Sequence, residues 1–163
     1  MFFADGKRVL ACGHEAGHGV RCYVQDLPSG KPVAVTPEGA NLARPSPDGT
    51  QLVAYVGEEG LKLFPIPLGE GRPVPGATDS DLVLRWTPDG KAVLVTSVWS
   101  DMPARIERLD LATGRREPYQ TLGPADPTGA VQVAPIALSD DGKSHAYGVR
   151  RMASHLFVLS GAK

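Results

Sequence analysis

The 163-residue sequence predicts an all-β chain built from a repeated four-stranded unit, and three observations carry that prediction. A turn phrase recurs four times. Each copy is followed by a short apolar run. Gly and Pro, at 19 and 15 residues, are too frequent to leave room for long helices.

The turn phrase reads ADGKRVLA at residues 4–11, SPDGTQLVA at 46–54, TPDGKAVLV at 87–95 and SDDGKSHAY at 139–147. Its glycines, Gly6, Gly49, Gly90 and Gly142, stand 43, 41 and 52 residues apart, a period that belongs to repeat architectures. The chemistry is that of a tight turn. Ser or Thr opens it, Pro pre-sets φ, Asp bonds the local backbone and Gly accepts a positive φ. Asp5, Asp48, Asp89 and Asp141 are therefore expected as turn residues. Calcium binding is a weaker reading, because the other oxygen ligands at loop spacing are missing.

The runs that follow are Val9, Leu10, Ala11; Leu52, Val53, Ala54; Val93, Leu94, Val95; and His145, Ala146, Tyr147. Apolar runs of this length predict strands covered on both faces. A second repeat matches YVQDLPSGKPVAVT at 23–36 with ERLDLATGRREPYQTL at 107–122, aligning Asp26 with Asp110 and Gly30 with Gly114. Each is a strand, a polar corner at Gly and a further strand, which is hairpin grammar.

One unit thus holds an entering strand, the Asp-Gly turn, a second strand, a hairpin to a third and a Gly corner to a fourth. Four antiparallel strands every ~40–45 residues predict β-propeller blades, about four of them, with approximate units 1–39, 40–79, 80–124 and 125–163. Trp86 stands just before its turn, in register with Phe2, Pro45 and Leu138, and is expected to pack one blade on the next. The ends are out of phase: only residues 1–3 precede the first turn, and the last unit offers strands around 131–138, 143–149 and HLFVLSG at 155–161, with no fourth. The expectation is a partial propeller cut on its N-terminal side, whose open blade edges favour self-association.

These units resemble the WD-like repeats of TolB-type propellers. The whole chain further resembles the C-terminal propeller region of bacterial, acidobacterial-type eukaryotic-like serine/threonine protein kinases. The phrases that carry the likeness are GHGVRCYVQDLPSGKPVAVTPEG at 17–39, MPARIERLDLATGRRE at 102–117, ADPTG at 125–129 and SDDGKSHAYGVRRMASHLFVLSGAK at 139–163, the last similar to a native C-terminus. The resemblance implies a non-catalytic sensing or protein-interaction module, with a protein or peptide ligand. A periplasmic TolB-like scaffold is the alternative. The kinase itself is not in the sequence, which has no Gly-rich phosphate loop, no HRD-type catalytic loop and no DFG triplet.

One motif argues for an enzyme. HEAGH at 14–18 satisfies the His-Glu-x-x-His pattern of zinc metallopeptidases, in which His14 and His18 would bind zinc and Glu15 would be the general base. That chemistry needs a helix. Gly13, Gly17 and Gly19 oppose one, and a hairpin loop between RVLAC and RCYVQDL is the natural reading. His145 and His155, the remaining imidazoles, are distant in sequence. Cys12 and Cys22 bracket the loop. They are expected as buried free thiols, with a disulfide as the alternative if the hairpin turns near residue 17 in an oxidising compartment.

Seventeen Lys and Arg against eighteen Asp and Glu, with no run of like sign, give no basic face for nucleic acid. No segment of the sequence approaches the ~18 apolar residues of a membrane helix, and the start lacks the pattern of a signal peptide. No catalytic residue, cofactor or metal ligand is assigned from the sequence, and the side of the membrane is left open.

Overall fold

The computed structural model describes residues 1–67, 69–97, 102–139 and 141–154. Among them thirteen strands form four antiparallel sheets. The first sheet holds β1 (Arg8–Gly13), β2 (Arg21–Asp26) and β3 (Val33–Ala34), with Phe2 bridged to Val9 on its inner side. The second holds β4 (Ala40–Pro45), β5 (Gln51–Val56), β6 (Gly60–Pro65) and β7 (Arg72–Pro73). The third holds β8 (Asp81–Trp86), β9 (Ala92–Ser97), β10 (Ala104–Asp110) and β11 (Arg116–Leu122). In the fourth, β12 (Ala130–Leu138) pairs with β13 (His145–Arg151). The third strand read at HLFVLSG, and His155 with it, lies outside the described residues. The fold is that of an all-β propeller chain, each sheet a blade.

The Asp-Gly tetrads form the turns that the sequence predicts. Glycine N–H groups close them by donating to the first residue's carbonyl, Gly49 to Ser46 and Gly90 to Thr87 at 2.9 Å, Gly142 to Ser139 at 3.0 Å. The glycine φ angles, +65° to +70°, are left-handed values that a residue without a β-carbon adopts at little cost. Each Asp clamps its turn: Asp48 Oδ1 accepts from the Ser46 hydroxyl at 2.6 Å and the Thr50 amide at 3.1 Å, and Asp89 does the same with Thr87 and Lys91. The Gly30 and Gly114 corners close in the same way as each other, by amide bonds to the Asp26 and Asp110 carbonyls at 2.8 and 2.9 Å.

Alternation along the second strand of each blade then stacks the blades. Leu52 and Ala54 face the first sheet, where they meet Leu10, Cys22 and Val24, while Val53 faces the third sheet and meets Val83, Trp86, Val93 and Val95. Leu94 in turn faces the fourth sheet and packs with Ile106, Leu122 and Val133. Leu52, Val53, Ala54, Val93 and Val95 are fully buried, and burying each large aliphatic side chain stabilises by about 1.5–3 kcal/mol. Coverage on both faces thus holds for the two middle blades. It fails at the ends: Ala11 is exposed because no described blade covers the outward face of β1, and His145 and Ala146 are exposed on β13.

The edge strands β4 and β8 touch each other, as do β8 and β12. They form the inner rim on which the blades converge.

Candidate functional site

The inner strands β4 and β8 end at Pro45 and Trp86, each just ahead of its Asp-Gly turn. There the column Phe2, Pro45, Trp86 and Leu138 comes together, one residue from each blade, around a groove of about 550 Å³. Trp86 is buried and belongs to the core between the second and third blades, as its sequence position predicts. Phe2 differs: it is 66% exposed, so in the first blade the column is groove wall and not inter-blade packing.

Two arginines one position earlier in the repeat share this groove, Arg44 on β4 and Arg85 on β8. The Arg85 Nε donates to the Trp86 carbonyl at 3.1 Å, and the Trp86 indole donates to the Arg44 carbonyl at 2.9 Å. Arg44 itself is half-buried, and burial pulls its guanidinium below the ordinary arginine value. The rest of the lining is apolar apart from Ser46. The Ser46 hydroxyl is held by the Asp48 carboxylate of its own turn and by the Gln51 carbonyl.

A second cavity, about 320 Å³, opens at the opposite end of β8 beside Thr78, Asp81, Arg105, Glu107 and Arg116. Arg116 forks the buried Asp81 carboxylate at 2.8 and 2.8 Å, reaches Glu107 at 2.9 and 2.6 Å, and donates to the Gly76 carbonyl at 3.2 Å. The bonds to Asp81, with those to Glu107, hold Arg116 charged well above its ordinary range. Tyr55 of β5 donates to the Asp81 carbonyl across the blade boundary; burial, with the charges of Asp81 and Asp79, pushes its phenol up to about 12. Every donor of Arg116 is committed, mostly within the third blade, and the Tyr55 bond ties that network to the second.

The HEAGH segment is a turn, with Gly17 at φ +83° and no helix to set two imidazoles on one face. His14, Glu15 and His18 are all exposed. His18 Nδ1 pairs with Glu38 at 2.8 Å, Glu15 lies 3.7 Å from Arg21, and His145 bonds Gln120 at 3.1 Å. Among the described residues no three His, Cys, Asp or Glu side chains gather as a metal-binding group.

The cysteines correct the sequence expectation of buried free thiols. Cys12 and Cys22 face each other in the β1–β2 register and form a disulfide, Cα–Cα 4.0 Å, with Cys12 exposed and Cys22 fully buried. The reason is geometric: the loop turns where the glycines place it, which brings the two Cβ atoms opposite one another.

This arrangement defines a TolB-like β-propeller fold. TolB from Acinetobacter baumannii superposes with a TM-score of 0.69 at 25% identity, over 94% of this chain and 37% of that one. The putative TolB of Agrobacterium tumefaciens gives 0.64 at 19%, over 94% and 57% of the two chains. Oligogalacturonate lyase from Vibrio parahaemolyticus gives 0.57 at 18%, over 95% and 51%. The chain thus spans between 37% and 57% of the length of these proteins. No protein-family model matches it, and no curated protein matches it.

Arg44 and Arg85 were not singled out from the sequence. The available signal was their shared place in the repeat, one residue ahead of the column that was read.

Proposed function

We propose that this chain is a non-catalytic, TolB-like propeller segment that binds a protein or peptide in the groove where the inner strands end. The observation that carries the reading is the convergence of repeat-equivalent residues from all four blades on one apolar groove with two guanidinium groups. Ligands of concave repeat scaffolds lie where equivalent positions meet, since only there do several blades present side chains together. The lyase neighbours share the fold, and fold does not carry chemistry.

The disulfide favours a place on the oxidising side of a membrane. That suits a periplasmic TolB-like scaffold, and equally the extracytoplasmic sensing end of a serine/threonine protein kinase; the kinase reading rests on the sequence phrases alone. Coding sequence upstream of Met1 separates the two parents, by a kinase domain or by a leader followed by further blades.

The binding function is tested by selecting displayed dodecapeptides on the immobilised chain and titrating the enriched ones into protein labelled with nitrogen-15. Enriched peptides are expected to shift the Trp86 indole resonance in a saturable way. Peptides that bind without moving it would place recognition elsewhere.

A further inference from the structure

We propose that the groove takes a peptide carboxylate on Arg44, flanked by apolar side chains of the same peptide. This rests on the groove being the binding surface and adds the charge and shape of its occupant.

The lining contains two arginines and no acid; Pro45, Pro47, Trp86, Pro88, Leu84 and Leu138 make most of the rest. Arg44 is the unusual member. Its Nε is buried and makes no hydrogen bond, and its one hydrogen bond is a long 3.4 Å contact from an Nη to the Ala43 carbonyl. Among the described residues no carboxylate lies within ion-pairing distance of it. Buried donors are rarely left unmade in a native protein, and a half-buried cation with no counter-ion is costlier still. The same residue carries both conditions in a groove open to solvent. A carboxylate in the groove supplies the missing counter-ion, its two oxygens accepting from the Nη edge of the guanidinium while Nε stays buried.

The neighbouring groups define the ligand further. Arg85 adds a second positive charge from the equivalent position of the next blade. The turn acid Asp141 lies in the field of Arg85, which helps to hold its carboxyl below the ordinary value, after the bonds from Ser139 and Lys143. The walls beyond the arginines are proline, leucine and tryptophan, which match aromatic or aliphatic side chains. A bare phosphate would leave those walls uncovered, and nucleic acid would need a basic stripe that this chain, at net charge −1, does not have. An extended peptide with one Asp or Glu between apolar residues fits all of it.

The test uses the displayed dodecapeptides on the 163-residue chain and then synthetic pairs. Enriched peptides are expected to carry an acidic residue beside an aromatic or aliphatic one. Changing that residue to its amide should weaken binding roughly ten-fold or more on the wild-type chain, the scale of a charge-assisted bidentate pair. On Arg44→Gln the acid and amide peptides should bind alike. Arg44→Lys should recover only part of the difference, because it keeps the charge and loses the fork. If Arg44→Gln fails to fold, the acid–amide pair on the wild-type chain still decides. Neutral peptides that move the Trp86 indole as strongly as acidic ones would overturn the carboxylate and leave the groove standing. Enriched peptides that do not move it would overturn the groove and the carboxylate together.

Discussion

The indole Nε1–H of Trp86, at the end of β8, donates to the backbone carbonyl of Arg44, at the end of β4, across 2.9 Å. One bond therefore joins the second and third blades at the rim where the groove opens, and it does so from a ring that is otherwise part of the core. Packing and site geometry are coupled through this residue.

Trp86→Phe should keep most of the buried ring and lose the bond, at about 1 kcal/mol, the usual net worth of one hydrogen bond. Trp86→Ala should cost about 3–5 kcal/mol, the range for removing a large core aromatic. Urea unfolding midpoints measure both. Equal losses for the two variants would mean that the hydrogen bond, and not the ring, dominates.

The fork from Arg116 onto Asp81 braces the third blade, from β11 to β8. Arg116→Met should destabilise by about 3 kcal/mol, since it strands a carboxylate that is 2% exposed. The double variant with Asp81→Asn should recover a good part of that loss. Additive losses in a double-mutant cycle would show that the two side chains act independently.

Reducing the Cys12–Cys22 bond opens a loop with a sequence separation of 10, for which loop-closure entropy gives roughly 2–3 kcal/mol. The thermal midpoint should fall on adding a dithiol reductant and should not move in a Cys12→Ser, Cys22→Ser chain. Thiol labelling of the unfolded, unreduced protein is expected to find no free thiol.

Acid should loosen the turns. The carboxyls of Asp48, Asp89 and Asp141 are held below the ordinary value, first by the hydroxyls of Ser46, Thr87 and Ser139 and then by backbone amides of Thr50, Lys91 and Lys143. Their folded values lie below the unfolded one, so the stability they add is present above about pH 4 and is lost as pH falls through the folded values. Carboxyl-carbon titration by NMR should place all three below the ordinary aspartate value. An unshifted Asp89 would remove the clamp from the account of its turn.

What the sequence made legible was local. The Asp-Gly tetrads and the Gly30 and Gly114 corners are each settled within a few residues by φ preferences and short hydrogen bonds, so turn chemistry suffices to read them. Trp86 was legible as core because it stands in an apolar column. The Arg116–Asp81 fork was not, since its partners are 35 residues apart and meet only when the blade twists. Arg44 and Arg85 escaped for the same kind of reason: a cation on a strand reads as solvent-facing until neighbouring blades enclose it. Opposition of Cys12 and Cys22 followed from the loop, whereas their oxidation depends on surroundings that spacing does not encode. Exposure of Ala11 and His145 reflects which neighbours stand beside the end blades, a property of the assembly of repeats and not of any one repeat.

The measurement that tests the account most directly is a backbone and indole NMR shift map of the 163-residue chain with a selected acidic dodecapeptide. Binding at the groove predicts saturable shifts at the Trp86 indole and at the amides of Ala4, Ser46, Arg85 and Leu138, with β7 and β11 unmoved. Shifts centred instead on Val9, Ala11 and Tyr23, on the outward face of the first blade, would contradict it.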